Sequence, residues 1–231
     1  MLWLNFHPIR GSKLVTSRTL AKAIGDALGI TSQSAELHLK TVRAAGKISF
    51  KGYGRAAAAM TGLDASRLLL AATGSLFAKD SLQVLENFGG LKPLRYPRSN
   101  FTLEECVAKR IEKALEKKSE DTSFRNDWRR TRPPRRFGSP HLAETALQLI
   151  EPMGSSTSNF PRVAIVRWLD PRGNSYVLTF GPEAERSRDY ESIPKINDIY
   201  DVISSYKGAN FFQIRAVKRD ALVKIALAIQ K

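Results

Sequence analysis

The chain has 231 residues, of which 42% are hydrophobic and 26% charged, the balance of a globular protein large enough for two domains. Its net charge is +15, and residues 1–140 carry most of it, with 25 Lys and Arg against 12 Asp and Glu; such local positive charge predicts a polyanionic partner, most often nucleic acid. The single cysteine excludes an internal disulfide, the three histidines lack metal-ligand spacing, and no run of residues resembles a signal peptide or a membrane span, so we expect a cytoplasmic protein.

Two helices joined by a short turn are predicted first. Helical spacing puts the apolar residues of both helices on their inner faces: Leu20, Ile24, Leu28, Ala35, Leu39 and Val42. Gly29 ends the first helix and Thr31 caps the second, which leaves a connection of three or four residues with Ile30 in its angle. Gly46 ends the second helix. This arrangement is typical of a helix-turn-helix motif.

The next stretch, KISFKGYGRAAAAM, predicts a wing. Lys47–Lys51 alternates apolar and polar residues like a half-buried strand, with Ile48 and Phe50 on the same side. The glycines on either side of Tyr53 permit a tight hairpin turn. A helix-turn-helix followed by a hairpin is the order of a winged helix. The alternative is an ordinary hairpin on which Arg55 is simply solvated.

The sequence predicts three more helices after this stretch. The first, TGLDASRLLLAATGS, buries four leucines: Leu63, Leu68, Leu69 and Leu70. The second is DSLQVLENF. The third, Thr102–Lys118, begins with a capping box of Thr102 and Glu105, and we expect Cys106 on its buried face.

An arginine-rich segment, residues 119–138, interrupts these elements. Six arginines lie between Arg125 and Arg136, with Trp128 and two prolines among them. A buried helix or a central strand is excluded by this composition. It predicts an exposed arm that binds phosphates, and the alternative is a solvated linker.

The last part of the chain predicts an α+β unit. A helix is expected at SPHLAETALQLIE, residues 139–151, with Ser139 as its cap. RVAIVRWL and SYVLTFG are predicted strands joined by a hairpin, DPRGN. IPKINDIYDVISSY predicts a helix, FFQIRAV a strand and RDALVKIALAIQ a closing helix.

The fold class is therefore α+β, with an N-terminal winged helix-turn-helix and a smaller C-terminal α+β domain that contains a β-hairpin. The predicted boundaries are a DNA-binding domain at 1–78, a helical extension at 79–118, the arm at 119–138, and a domain for dimerisation or partner binding at 139–231.

The predicted DNA-binding residues come from the second helix, the wing and the arm. They are Ser32, Gln33, Glu36, Lys40, Arg43, Lys51, Tyr53, Arg55, Arg125, Arg129, Arg130, Arg132, Arg135 and Arg136. Gln33 suits a bidentate contact to adenine, and Lys40 suits phosphate or guanine. Glu36 either accepts from cytosine or pairs with Lys40 one helical turn away. His38 is expected to be a packing residue.

Residues 38–72 resemble a group of winged-helix proteins encoded in bacteriophages and prophages of proteobacteria. The matching motifs are VRAAG at residues 42–46, Gly54-Arg55, and MTGLDA at residues 60–65. Lys47 departs from the usual apolar residue, and Gly62 stands where proline is common. The resemblance implies a DNA-binding regulator or a phage-maturation protein.

These features together predict a sequence-selective protein that binds double-stranded DNA as a homodimer in the nucleoid, a phage or prophage transcriptional regulator. We predict no enzymatic activity, cofactor or metal. Two alternatives stay open. One is a structural DNA-recognition component of genome packaging or replication, which solution mass would reveal as a ring. The other is an inhibitor of host nucleic-acid machinery, for which a host protein is the partner.

Overall fold

The computed structural model describes residues 15–52, 58–94, 100–114, 145–152, 162–169, 175–182 and 212–229. The helices in these ranges are α1 Ser17–Leu28, α2 Ser32–Ala44, α3 Gly62–Gly74, α4 Ser81–Val84, α5 Leu103–Lys113 and α6 Arg219–Ile229. The strands are β1 Lys92–Pro93, β2 Thr145–Pro152, β3 Val163–Leu169, β4 Ser175–Gly181 and β5 Phe212–Lys218. They form one antiparallel sheet in the order β1-β4-β3-β2-β5. The predicted α+β class is confirmed.

The first two helices and their ends are as predicted. Thr16 caps α1 and Thr31 caps α2, each accepting a hydrogen bond from the backbone N–H three residues later. Gly29 and Gly46 both have a φ of 70°, the left-handed conformation that ends a helix. Ile30, in the connection, packs against the core. Short-range signals alone therefore determine where α1 and α2 begin and end.

The predicted strand at Lys47–Lys51 is wrong. The residues described on either side of the predicted hairpin tip, 47–52 and 58–60, have no strand. Ile48 is buried as expected, but Phe50 is 48% exposed, so the two side chains do not share a buried face. The backbone of this segment bonds to side chains of α3 instead of to a second strand.

α3 is the central helix of the fold. It packs against α1, α2, α5 and α6, and three consecutive leucines, Leu68, Leu69 and Leu70, are fully buried. Consecutive residues of a helix point in different directions, so all three can be buried only when the helix is enclosed on several sides. Leu63 is half-buried. Each fully buried leucine contributes about 1.5–3 kcal/mol relative to an exposed one.

The next two predicted helices are also present. DSLQVLENF forms a 3₁₀ turn at Ala78–Asp80, then α4, then a π-helical turn at Leu85–Gly89. α5 begins with the predicted capping box of Thr102 and Glu105. The Arg110 guanidinium of α5 lies 4.3 Å from the ring centre of Trp168 on β3, which joins this helix to the sheet.

The predicted strands β3, β4 and β5 and the closing helix α6 are confirmed, whereas the predicted helix at 139–151 is wrong over residues 145–151. These residues belong to β2, which lies between β3 and β5, and the first part of the predicted helix, 139–144, lies outside the described residues. Leu147 and Leu149 belong to the core shared with the helices, and Ile150 packs with β3 residues in a second cluster. Gln148 is also buried and accepts a hydrogen bond from Arg167.

β2 is therefore buried on both faces, which removes the alternation that usually reveals a strand. Its Ala, Leu and Gln residues have high helix propensity when taken alone. Pairing with two neighbouring strands outweighs that propensity, because propensity differences amount to less than about 0.7 kcal/mol per residue.

The core runs without interruption from the N-terminal helices to the sheet. Leu20 and Ile24 of α1 lie in the same apolar cluster as Ile225 and Ala226 of α6, and these two helices pack together. The domain boundaries at 78, 118 and 138 stay predictions. Every helix in the described ranges is too short to span a bilayer.

Candidate nucleic-acid interface

α2 has one face in the core and the opposite face in solvent. Ala35, Leu39 and Val42 are buried, as the helical spacing predicts. Gln33 and Lys40 are exposed on the other side, and Ser32 is exposed as the first residue of the helix. Within the described part of the chain, Gln33 and Lys40 have no side-chain hydrogen bond or ion pair. The exposed face of α2 therefore offers two unengaged polar side chains, Gln33 and Lys40, to a partner.

Glu36 does not pair with Lys40 but with Arg18 of α1. The Arg18 Nε donates to Glu36 Oε1 at 3.3 Å, and the arginine side chain is largely exposed. Exposed ion pairs of this kind contribute about 0–1 kcal/mol. Glu36 can therefore exchange Arg18 for another donor at little cost.

The exposed face of α2 is bordered by different elements on its two sides. An α-helix turns by about 100° per residue, so positions around α2 can be measured as angles from Glu36. Lys40 lies about 40° and Gln33 about 60° from Glu36 around the helix axis. Leu37 follows at about 100° and His38 at about 200°. Glu36 contacts α1, and His38 contacts the first residue of α4. The exposed arc thus runs from α1 to the segment that leads into α4.

His38 is a buried packing residue, as predicted. Its Nδ1 lies 2.8 Å from Ser81 Oγ, and the Ser81 hydroxyl donates to the Ala78 carbonyl at 2.7 Å. Because a hydroxyl has one proton to donate, His38 Nδ1–H must be the donor in the first bond. Burial lowers the pKa of His38 below 6.5.

Acidification is expected to destabilise the protein through His38. Because the folded pKa is lowered, the unfolded chain binds a proton below pH 6.5 before the folded chain does, so stability falls as pH falls through this window. The slope is at most about 1.4 kcal/mol per pH unit. His38→Gln retains a donor for Ser81 and should remove that slope. Urea unfolding of both proteins between about pH 5 and about pH 8 measures it; parallel pH profiles would contradict the assignment.

The segment after α2 is held by a carboxylate of α3. Asp64 forms a capping box with Thr61, and its other oxygen accepts from the backbone N–H of Ser49 at 2.9 Å. Asp64 is buried, so these bonds replace its contacts with water. One side chain thereby determines both where α3 begins and where the preceding loop lies.

Arg67 of α3 holds the same segment at a second point. Its Nη1 donates to the Lys47 carbonyl at 2.9 Å, while Nε and Nη2 donate to the two oxygens of Glu104 on α5 at 3.0 and 2.9 Å. The hydrogen bonds to Glu104 raise the pKa of Arg67. This bidentate pair fixes the arginine geometrically and connects the loop, α3 and α5.

Two basic residues that were predicted to bind DNA, Arg43 and Lys51, lie at or shortly after the C-terminal end of α2. Arg43 is half-buried, and its guanidinium lies 4.7 Å from the centre of the Phe50 ring. Lys51 is exposed. Arg43 is thus held against an aromatic ring, with its edge available for hydrogen bonds, because cation–π stacking uses only the guanidinium plane.

The remaining predicted DNA-binding residues lie outside the described residues. These are Tyr53, Arg55, Arg125, Arg129, Arg130, Arg132, Arg135 and Arg136. The structure therefore brings together only the predicted residues of α2 and its C-terminal end.

The side chains that position this surface were not predicted from the sequence. The Thr61 and Asp64 pair was visible as a capping-box pattern, T-x-x-D, just before a leucine-rich helix. The Arg18–Glu36 and Arg67–Glu104 pairs join residues 18 and 37 positions apart, and no local pattern indicates them.

Other site chemistry is sparse in the described ranges. No three His, Cys, Asp or Glu side chains there are grouped as metal ligands would be. Cys106 is buried on α5 as predicted, and burial raises its pKa to about 11.

The resemblance of residues 38–72 to phage winged-helix proteins rests on the sequence motifs alone, because no protein-family model, curated protein or solved structure matches this chain.

Proposed function

We propose that this chain is a sequence-selective double-stranded DNA-binding protein, a phage or prophage transcriptional regulator that places α2 in the major groove. The observation that carries the proposal is the exposed polar face of α2, on which the Gln33 and Lys40 side chains have no hydrogen bond or ion pair within the described residues. In a helix-turn-helix this part of the second helix contacts base edges, while the first helix crosses the backbone.

The charge of the chain supports a polyanionic partner. Exposed cations lie along α1, α2 and the following loop: Arg18, Lys22, Lys40, Lys47 and Lys51. Each phosphate that such a side chain neutralises releases a counterion, which provides affinity without sequence preference. The excess of +13 in residues 1–140 coincides with the part of the chain that contains α2.

Side chains on the exposed arc supply the sequence preference. Gln33 can form two hydrogen bonds with adenine, Lys40 can contact guanine or phosphate, and Glu36 can accept from cytosine after releasing Arg18. Each bidentate contact contributes about 1–3 kcal/mol of discrimination. Asp64 and Arg67 hold the loop beside α2 in a fixed position, which favours its use as a wing.

Three parts of the proposal rest on the sequence. The wing contact of Arg55 to phosphate or the minor groove, the arginine arm at 119–138, and homodimer formation come from composition and pattern. A dimer would place two copies of α2 about one helical turn apart on a palindromic site.

Selection of bound duplexes from random DNA tests the proposal, first with the full chain and then with residues 119–138 deleted. A preferred sequence is expected in both cases. Gln33→Ala should weaken binding to that sequence by about 5- to 150-fold and leave random DNA unaffected. Arg55→Ala should weaken binding to both.

Gln213→Ala on β5 is the matched control, because it makes the same substitution away from α2, and its affinity should equal that of the wild type. Failure to enrich any sequence would overturn sequence selectivity. Equal losses for Gln33→Ala and Arg55→Ala on every duplex would refute base recognition by Gln33.

A further inference from the structure

The turn between α3 and α4 exposes two large apolar side chains. Leu76 is 79% exposed and Phe77 is 64% exposed, the largest values among the big apolar residues of the described ranges. Both follow the last turn of α3 directly. Single apolar residues on a surface are ordinary, whereas adjacent ones on a projecting turn indicate a contact surface.

The turn is held in one conformation. Ser75 is buried, and its Oγ accepts from the Phe77 N–H at 3.0 Å and donates to the Phe77 carbonyl at 2.8 Å. The Asp80 N–H also donates to that carbonyl, at 3.1 Å. The apolar pair is therefore presented by a preorganised turn, and little ordering is needed when it binds.

This turn lies beside the proposed DNA-binding face. The 3₁₀ turn and α4, which follow Phe77, pack on α2, and His38 bonds to Ser81. That contact is at one border of the exposed arc of α2, and Arg18 of α1 is at the other border. Leu37, itself exposed, lies on the arc between Gln33 and His38.

The surroundings of the pair favour a polyanion over an apolar protein pocket. The Lys79 ammonium lies 5.7 Å from the centre of the Phe77 ring, and the Lys79 side chain is exposed. An apolar side chain with a cation beside it matches a base step and the phosphate that flanks it.

We propose that the Leu76–Phe77 turn is a wedge that enters the minor groove beside the major-groove segment occupied by α2. Phe77 separates two stacked base pairs, Leu76 fills the opened step, and Lys79 binds the adjacent phosphate. Such insertion kinks the duplex, so the protein bends its site as it binds. The inference rests on the proposed function and adds a second contact to it.

Bending of the selected duplex, measured by energy transfer between dyes at its two ends, tests the wedge. The wild type should bend the site, and Phe77→Ser and Leu76→Ser should reduce the bend and weaken binding by about tenfold or more. 2-Aminopurine placed at the kinked step should brighten with the wild type and stay quenched with Phe77→Ser. Leu227→Ser on α6 is the control, since Leu227 is 47% exposed and lies on the surface of another element.

The outcomes separate the two proposals. A wild type that binds no duplex refutes the proposed function and the wedge together. A wild type that selects a sequence but leaves it straight, or Phe77→Ser and Leu76→Ser variants that bend it as before, overturns the wedge alone. Loss of affinity with an unchanged bend also overturns it, because the side chains would then act outside the base stack.

Discussion

Ending the chain at Lys218, which removes α6, is expected to unfold the N-terminal helices and with them the surface that we propose for duplex binding. α6 packs along α1, and its inner face is buried in the core that α1, α2 and α3 share. Burying one Leu or Ile side chain contributes about 1.5–3 kcal/mol, and α6 buries Leu222 and Ile225 together with two alanines. The two larger side chains alone contribute about 3–6 kcal/mol, which reaches the lower end of the stability of a typical domain, about 5–15 kcal/mol.

A milder change tests the same contact without truncation. Ile225 is fully buried, so Ile225→Ala should lower the free energy of unfolding by about 2–5 kcal/mol. Leu227→Ala on the exposed side of the same helix should change it by less than about 0.5 kcal/mol. Thermal unfolding followed by circular dichroism measures both variants.

Cys106 provides a local probe of the truncated chain. Its thiol is buried and has a pKa of about 11, so alkylating reagents should not label it in the folded protein. Rapid labelling after truncation would show that the helical core has opened. Continued protection, together with a cooperative thermal transition, would instead show that the helical core around α5 stays folded without α6.

Helix ends were predictable because the interactions that create them lie within a few residues. Thr16, Thr31 and Thr102 each cap the helix that follows, and Gly29 and Gly46 adopt the left-handed conformation that only glycine adopts easily. The energy of such a cap depends on neighbours in sequence. The few residues around each helix end therefore suffice to predict where the helix begins or ends.

The position of β2 was not predictable in this way. Its partners, β3 and β5, begin 18 and 67 residues after Thr145, and its residues favour a helix until those strands are in place. The prediction for Phe50 was wrong for a similar reason, since its segment bonds to Asp64 and Arg67 of α3 and not to a strand. Tertiary contacts overrode local pattern in both cases.

The motifs behind the resemblance to phage winged-helix proteins are largely structural where they are described. In VRAAG, Gly46 allows the Lys47 N–H to bond the Val42 carbonyl and so ends α2. In MTGLDA, Thr61 and Asp64 form the capping box of α3. These motifs determine how α2, the loop and α3 are connected, and they do not contain Gln33, the residue that we propose for base recognition.

Gly74→Ala is expected to destabilise the protein by about 3 kcal/mol, at the upper end of overpacking penalties. Gly74 is the last residue of α3, and a Cβ placed there would overlap Val84 Cγ1 and lie 3.1 Å from Cγ2. The tight contact brings the end of α3 against α4, and the exposed Leu76–Phe77 turn lies between the two helices in sequence. Gly90→Ala is the control, because a Cβ at Gly90 meets nothing within 4 Å and its φ of −82° suits alanine.

A double-mutant cycle separates this clash from a general intolerance of substitution. Val84→Ala alone should cost about 2 kcal/mol by removing buried methyl groups. In the double variant, the methyl group introduced at position 74 occupies the volume that the Val84 side chain vacates, so the combined loss should be smaller than the sum of the single losses by about 1–3 kcal/mol. Urea unfolding of the four proteins measures the coupling. Additive losses would show that the cost of Gly74→Ala does not come from the close approach of Val84.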